Sequence, residues 1–138
     1  MNISKFTQKS VQAVQDLEKV AYEYGNQEIE QEHLLYTLLT QEDSLILKLI
    51  EKMEINKDYF IDTVKKALDA KVKVSGGELR FGQYLNKALV NAEDEAKAMG
   101  DEYVSVEHLF LALLKYPSPS MKKIWSEFGI TKERFLQA

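Results

Sequence analysis

The stretch Ile29-Glu30-Gln31-Glu32-His33-Leu34-Leu35 occurs a second time, in related form, as Val104-Ser105-Val106-Glu107-His108-Leu109-Phe110. The two histidines are 75 residues apart, and the same offset relates Phe6 to Phe81 and continues without a gap towards the end of the chain. A single period over almost the whole chain indicates two copies of one supersecondary unit. Units of this kind stack on each other and share a core, which is typical of a recognition module.

Composition limits the class of protein. The chain has 138 residues, of which 45% are hydrophobic, and it carries a net charge of −4 and no cysteine. This length fits one domain with a real core. A bilayer-spanning helix needs about 20 apolar residues, and no apolar run approaches that length, so we expect no membrane partner. The acidic balance argues against nucleic acid as a partner. The absence of cysteine and of a secretory signal fits a cytoplasmic protein.

Apolar residues recur at helical spacing throughout the chain. The first stripe consists of Ala13, Val14, Leu17, Ala21 and Tyr24, and its counterpart consists of Leu85, Ala88, Leu89, Ala92, Ala96 and Met99. Gly25 and Gly100 follow these stripes, where a glycine can close a helix in the left-handed conformation. A second helix is predicted to begin near Glu30 and near Ser105, and Ser105 is a candidate N-cap. The pattern is all-α.

Two further helices are predicted in each repeat, which gives eight helices in two pseudo-symmetric four-helix repeats. Asn56 and Thr131 are suitable caps for the fourth helix of each repeat, and Gly129 suits the end of the third helix of repeat two. We expect repeat one at about 1–70, a linker at about 71–80 that is flexible around its glycines, and repeat two at about 81–138. The fourth helix of repeat two is shorter than its counterpart, which suggests a fragment of a longer protein.

The search for catalytic chemistry finds no candidate site. Ser75-Gly76-Gly77-Glu78 lacks the Gly-Lys-Ser/Thr of a phosphate-binding loop, so no cofactor site is predicted. The two histidines are too distant in sequence for a local metal pair, and their equivalent positions favour a structural role such as bonding to a neighbouring helix. We therefore expect no catalytic, cofactor-binding or metal-binding residues. A stand-alone enzyme with a carboxylate site between the repeats stays open as an alternative of another class.

These residues carry a family resemblance. The doubled pattern of Phe, Gly, Glu-His-Leu and Leu-Leu, with Thr after the first Phe, resembles the tandem N-terminal domain of Clp ATPases over essentially the whole chain. The opening Met-Asn-Ile-x-Lys-Phe-Thr, the Lys73–Gly77 segment and the Asp101–Leu109 segment look most like the ClpB disaggregase branch. ClpA and ClpC share the double repeat, so an adaptor-docking or substrate-docking domain of a protease unfoldase is the alternative within the family.

The resemblance implies a non-catalytic domain above an ATPase ring, which engages unfolded or aggregated protein and can also engage adaptor proteins. The isolated domain is then expected to be a monomer and the parent a homohexamer, with ATP and magnesium bound only in the parent's ATPase modules. Client-binding residues of the branch fall on Thr7, Asp101 and Glu107. Each also has a structural interpretation: Thr7 as a helix cap, Asp101 as a partner for backbone groups beyond Gly100, and Glu107 as a complement to a helix dipole.

The resemblance also implies an apolar groove, but the positions of its surface leucines carry Asn91, Glu95 and His108 in this chain. That groove is therefore not expected here in its usual form. Apolar contact with a client would have to come from aromatic residues, for which core packing is the more ordinary role; the candidates are Phe81, Tyr84, Tyr103 and Phe110.

Overall fold

The computed structural model describes residues 3–74 and 76–138; Met1, Asn2 and Ser75, the last within the predicted linker, lie outside it. Over the described residues the chain forms a 3-10 turn at Ile3–Lys5, nine α-helices and two short strands. The helices are α1 Gln8–Gln15, α2 Leu17–Glu23, α3 Gln31–Thr40, α4 Leu45–Lys52, α5 Lys57–Asp69, α6 Gln83–Ala98, α7 Val106–Lys115, α8 Pro119–Phe128 and α9 Lys132–Gln137, and the strands are β1 Glu28–Ile29 and β2 Arg80–Phe81.

The helices repeat with the offset that the sequence predicts. α1 and α2 are two segments of one helix interrupted at Asp16, whose N–H still bonds the carbonyl oxygen of Gln12 at 2.9 Å. Together they span residues 8–23, and their counterpart α6 spans 83–98. α3 likewise corresponds to α7, α4 to α8 and α5 to α9. The prediction of an all-α fold with eight helices in two pseudo-symmetric repeats is confirmed, with the first helix interrupted.

The predicted caps bound the helices. The side chains of Asn56 and Thr131 accept the backbone N–H groups that start α5 and α9. Gly129 ends α8 in the left-handed conformation, with φ of 62°. Gly25 and Gly100 follow α2 and α6 with φ of 72° and 73°. These positive angles favour glycine because a side chain would meet the backbone there.

The two repeats also exchange extended segments, which the helical pattern did not predict. β1 and β2 are parallel, with Ile29 of repeat one opposite Phe81 of repeat two. The isolated bridge between Phe6 and Val104 is the same pairing with the repeats reversed. The backbone N–H of Thr7 bonds the Val104 carbonyl at 2.9 Å, and that of Gly82 bonds the Ile29 carbonyl at 2.8 Å. Each repeat therefore uses its leading segment, at Phe6 or Phe81, to pair with the segment that precedes the second helix of the other repeat.

The core is shared between the repeats, and α3 and α7 contact each other near its centre. Leu34, Leu35 and Phe110 are fully buried, and the Phe110 ring packs edge-on against Trp125 with centroids 5.3 Å apart. Burial of one such side chain stabilises the fold by about 1.5–3 kcal/mol. Met99 departs from its predicted place in the apolar stripe, because it caps the end of α6 and is 46% exposed.

The predicted linker is held at both ends. Arg80 belongs to β2, and the segment Lys71–Val74, which we call the docked linker, bonds repeat one through Asn26 and Gly25. The predicted linker therefore has fixed positions on either side of its glycines. Their hydrogen-bond partners are distant in sequence, so local composition did not indicate them.

Candidate functional site

Thr7, Asp101 and Glu107 lie around the Phe6–Val104 bridge. Thr7 directly follows Phe6 and bonds Val104 through its backbone N–H. Asp101 is in the loop between α6 and Val104, and Glu107 is in the first turn of α7 just beyond it. The pairing between the repeats thus places Thr7 of repeat one in the same region as Asp101 and Glu107, which are neighbours in repeat two.

Thr7 has the structural role that its sequence position predicts. Its hydroxyl accepts the N–H of Ser10 at 3.3 Å and caps α1. The buried Ser10 hydroxyl in turn donates to the Val104 carbonyl at 2.7 Å, so the start of α1 and the bridge are fixed together. Thr7 itself is half-buried, which leaves part of its side chain at the surface.

Asp101 is held by His108. The Nδ1 atom of His108 accepts the backbone N–H of Ser105 at 2.9 Å, so the ring proton must be on Nε2. Nε2 then donates to Asp101 Oδ2 at 2.8 Å. Asp101 therefore bonds an imidazole and not the backbone groups that the sequence suggested, and about half of its side chain stays exposed. The histidine role is structural as predicted, but it caps its own helix instead of bonding a neighbouring one.

Repeat one contains the same arrangement with an uncharged partner. His33 Nδ1 accepts the N–H of Glu30 at 2.8 Å, and Nε2 donates to Asn26 Oδ1 at 3.0 Å. His33 is fully buried. Burial lowers the pKa of His33 to about 4, with a further contribution from the positive charge of Lys71. The imidazole is thus neutral at physiological pH.

Glu107 and its counterpart Glu32 occupy different environments. Glu32 is 1% exposed; its Oε2 accepts the Ser120 hydroxyl at 2.5 Å, and Lys71 Nζ lies 3.4 Å from its Oε1. Oε1 has no well-aligned hydrogen bond, so its contact with Lys71 is mainly electrostatic. Glu32 is thus a carboxylate that lies between the repeats, as the enzyme alternative requires, but it is buried away from solvent. Glu107 is only half-buried and stands in the first turn of α7, where the helix dipole favours its charge.

A groove of about 390 Å³ borders Asp101 and Val104. Its lining carries both signs of charge and comes from the 3-10 turn, the end of α6 and the loop that follows: Lys5, Glu93, Ala96, Lys97, Asp101, Glu102 and Val104. Sequence reasoning missed Lys5 and Glu102 as site residues. The offset of 75 could have indicated Lys5, because its counterpart Arg80 is the other basic residue that precedes an exchanged phenylalanine.

The aromatic candidates divide into core and surface. Phe110 is fully buried and Phe81 half-buried, as the core interpretation predicts. Tyr84 and Tyr103 are exposed, so that interpretation was wrong for them. Tyr103 directly precedes Val104 and is 49% exposed, which makes it the aromatic side chain available beside the three polar positions.

The positions at which the resemblance places surface leucines are largely buried in this chain. Glu95 and His108 are nearly inaccessible, and Glu95 pairs with Lys115 at 3.5 Å; Asn91 is half-buried. A separate, mostly apolar cavity of about 490 Å³ borders Glu95 and includes Leu114, Trp125 and Ile130 in its lining. This cavity could not be predicted from the sequence, because its lining residues come from several helices.

Residues 3–74 and 76–138 contain no group of three or more His, Asp or Glu side chains placed to hold a metal ion. Within the same ranges, no helix combines the length and apolarity needed to cross a bilayer.

Residues 5–128 match the family described as the Clp repeat (R) N-terminal domain. The chain belongs to this family. The domain is 39% identical over 141 residues to the chaperone protein ClpB of Clostridium tetani and 37% identical over 142 residues to that of Nitratidesulfovibrio vulgaris. Each alignment covers 99% of this chain, and the chain spans 16% of the length of each relative.

Solved structures share the fold of this Clp repeat domain. The Hsp104 N-terminal domain from Candida albicans superposes with a TM-score of 0.82 at 21% identity, covering 96% of this chain and 87% of that one. The ClpV N-domain in its complex with a VipB peptide superposes with a TM-score of 0.71 at 19% identity, covering 91% and 80%.

Proposed function

We propose that this domain is the non-catalytic, client-binding N-terminal domain of a ClpB-type disaggregase, and that it binds exposed segments of unfolded or aggregated protein. The observation that carries the proposal is the grouping of Thr7, Asp101 and Glu107 at the bridge between the repeats, beside an open groove. ClpB relatives that align over nearly the whole chain support the assignment to this branch.

The chemistry of the site suits an unfolded polypeptide. The exposed part of the Asp101 carboxylate and the half-buried Glu107 can accept backbone N–H groups or pair with basic side chains. Tyr103 supplies exposed apolar surface beside them. The structure of a ClpV N-domain with a peptide shows that a protein of this fold can hold a peptide segment.

Binding should be weak. A disordered client loses chain entropy when it binds, and a groove of about 390 Å³ offers limited area to offset that loss. Weak binding also suits a domain that must release its client to the rest of the machine. In this proposal the parent is a cytoplasmic homohexamer, and ATP and magnesium bind in its ATPase modules.

The test is to measure binding of fluorescently labelled, permanently unfolded casein to the parent domain and to Thr7→Ala, Asp101→Ala and Glu107→Ala. Loss of one partly exposed charged contact, at Asp101 or Glu107, costs about 0.2–1 kcal/mol, which corresponds to a weakening of up to about fivefold. Thr7→Ala removes a hydroxyl that can bond the client and should weaken binding by a similar factor. Glu107→Ala also removes a helix-dipole contact and should lower stability by about 0.3–1 kcal/mol.

Matched controls are available on α9. Thr131 caps α9 as Thr7 caps α1, and Glu133 occupies the same helix position as Glu107. Thr131→Ala and Glu133→Ala should reduce stability by similar amounts and leave casein binding unchanged. The proposal fails if the three site variants bind casein as the parent does, or if binding follows the melting temperature across all five variants.

A further inference from the structure

The docked linker shows how repeat one binds an extended chain. The Val74 N–H donates to the Gly25 carbonyl at 2.9 Å, and the Asn26 Nδ2 donates to the Val72 carbonyl at 3.0 Å. Lys73 Nζ donates to the Tyr24 carbonyl at 2.6 Å. The valine side chains do not make this contact, since Val72 is 79% and Val74 41% exposed. Repeat one thus recognises a backbone together with lysine ammonium groups.

Repeat two has a surface equivalent to the one at which Gly25 and Asn26 hold the docked linker, and this second surface is open. Gly100 and Asp101 are the counterparts of Gly25 and Asn26, with the same left-handed glycine and the same histidine contact. A Cβ atom placed on Gly25 would lie 3.5 Å from Cδ of Lys73 in the docked linker, whereas one placed on Gly100 meets no described atom within 4 Å. The next residue, Asp101, lines the groove of about 390 Å³.

We propose that the Gly100–Asp101 strip binds one extended, lysine-containing segment of a client, in the way that Gly25–Asn26 binds the docked linker. The inference rests on the proposed function, since it specifies which part of an unfolded protein the domain binds and where. The Gly100 carbonyl accepts a client N–H group, and the side chains of the client point largely to solvent, so the contact is tolerant of client sequence.

One difference between the repeats and one shared feature give the preference for basic segments. Asn26 offers an amide donor to the Val72 carbonyl of the docked linker, but Asp101 offers only carboxylate oxygens, which accept from N–H groups or ammonium groups. Lys71 of the docked linker lies 3.0 Å from Glu30 and 3.4 Å from Glu32. The counterpart of Glu32 is Glu107, which stands in position to receive a client lysine.

The test uses two peptides in trans. The first, acetyl-Ala-Lys-Val-Lys-Val-amide, copies residues 70–74, and the second carries glutamine in place of both lysines. Titration of the isotope-labelled 138-residue chain should give amide shift changes centred on Gly100, Asp101 and Glu107 for the lysine peptide. The glutamine peptide should bind about two- to thirtyfold more weakly, because it loses the contacts of two lysine ammonium groups.

Asp101→Asn is the sharpest variant, because the chain already contains the His–Asn pairing in repeat one and the fold should therefore tolerate it. It should reduce the preference for the lysine peptide about fivefold and strengthen binding of the glutamine peptide, since an amide donor now faces the peptide carbonyl as Asn26 faces Val72. Asn86→Asp, which changes an exposed side chain on α6 by the reverse substitution, is the control and should leave the ratio unchanged.

Each outcome has a distinct meaning. Shift changes centred elsewhere, for example on the apolar cavity at Trp125, overturn the inference, as does equal binding of the two peptides. If casein still binds in a manner sensitive to Thr7→Ala and Glu107→Ala, the proposed function survives that failure. If casein does not bind at all, the proposed function fails. The amide shift changes alone then decide whether the Gly100–Asp101 strip binds the lysine peptide.

Discussion

His33→Gln should remove most of the histidine-dependent acid sensitivity of the fold. His33 is fully buried and neutral, and both of its ring nitrogens are used: Nδ1 accepts from Glu30 and Nε2 donates to Asn26. A proton on Nδ1 would break the first contact and place a positive charge near Lys71 and Lys73, which both lower the pKa, while Glu32 acts in the opposite direction. Glutamine keeps one acceptor and one donor but does not titrate.

The magnitude follows from linkage. The pKa of His33 is lowered from 6.5 to about 4 in the folded chain, and each pKa unit is worth about 1.4 kcal/mol. Between these two values the unfolded chain binds more protons than the folded one, so the free energy of unfolding rises with pH. The contribution is fully present above about pH 6.5 and falls by about 3 kcal/mol as the pH drops through 6.5 to about 4.

The assay is urea unfolding at pH 7.5 and pH 4.5, followed by the fluorescence of Trp125, which is the single tryptophan and is buried. Carboxylates that titrate in this range are common to both proteins, so the difference between parent and His33→Gln isolates the histidine. The parent should lose about 2–3 kcal/mol more than the variant between the two pH values. Equal losses, or an NMR titration of His33 near pH 6.5 in the folded chain, would refute the reasoning.

Three further predictions concern packing, linker docking and nucleotide binding. Phe110→Ala should lower the free energy of unfolding by about 3–5 kcal/mol, measured in urea, because it leaves a cavity beside Trp125 in the shared core. Asn26→Asp should cost about 1–3 kcal/mol and increase amide exchange at Val74, because the Val72 carbonyl loses its donor and faces a carboxylate. Isothermal titration of the domain with ATP and magnesium should show no heat of binding, and saturable micromolar binding would contradict the proposed function.

The fold could be predicted because its signals are local and occur twice. Helix ends at Gly25, Gly100 and Gly129 are determined by a backbone angle that glycine readily adopts, and the caps at Asn56 and Thr131 act within one turn. The doubled pattern then fixed the order of the helices. These features depend on residues that are close in sequence, so they could be predicted from this single sequence.

The pairing across the repeats and the environment of the site could not be read in the same way. Phe6 and Val104 meet only because two distant segments enter the second helices side by side. The sequence places an acidic residue at both position 32 and position 107, but Ser120 and Lys71 enclose only the first. Likewise Met99 occupies an apolar position by spacing, yet it extends into solvent at the end of α6. Each of these outcomes depends on tertiary contacts.

The exchanged segments make each repeat depend on the other to complete its backbone pairing. Because Phe6 pairs with Val104 and Phe81 pairs with Ile29, each repeat donates its leading segment and receives that of the other. A polypeptide with a single repeat would leave both halves of this pairing unsatisfied, and two such polypeptides would complete each other about a twofold axis. The pairing within this one chain is therefore the one that a swapped homodimer of single repeats would make between two chains. The two halves differ at one equivalent surface: Gly25 and Asn26 hold the docked linker, whereas a Cβ atom placed on Gly100 meets no described atom within 4 Å.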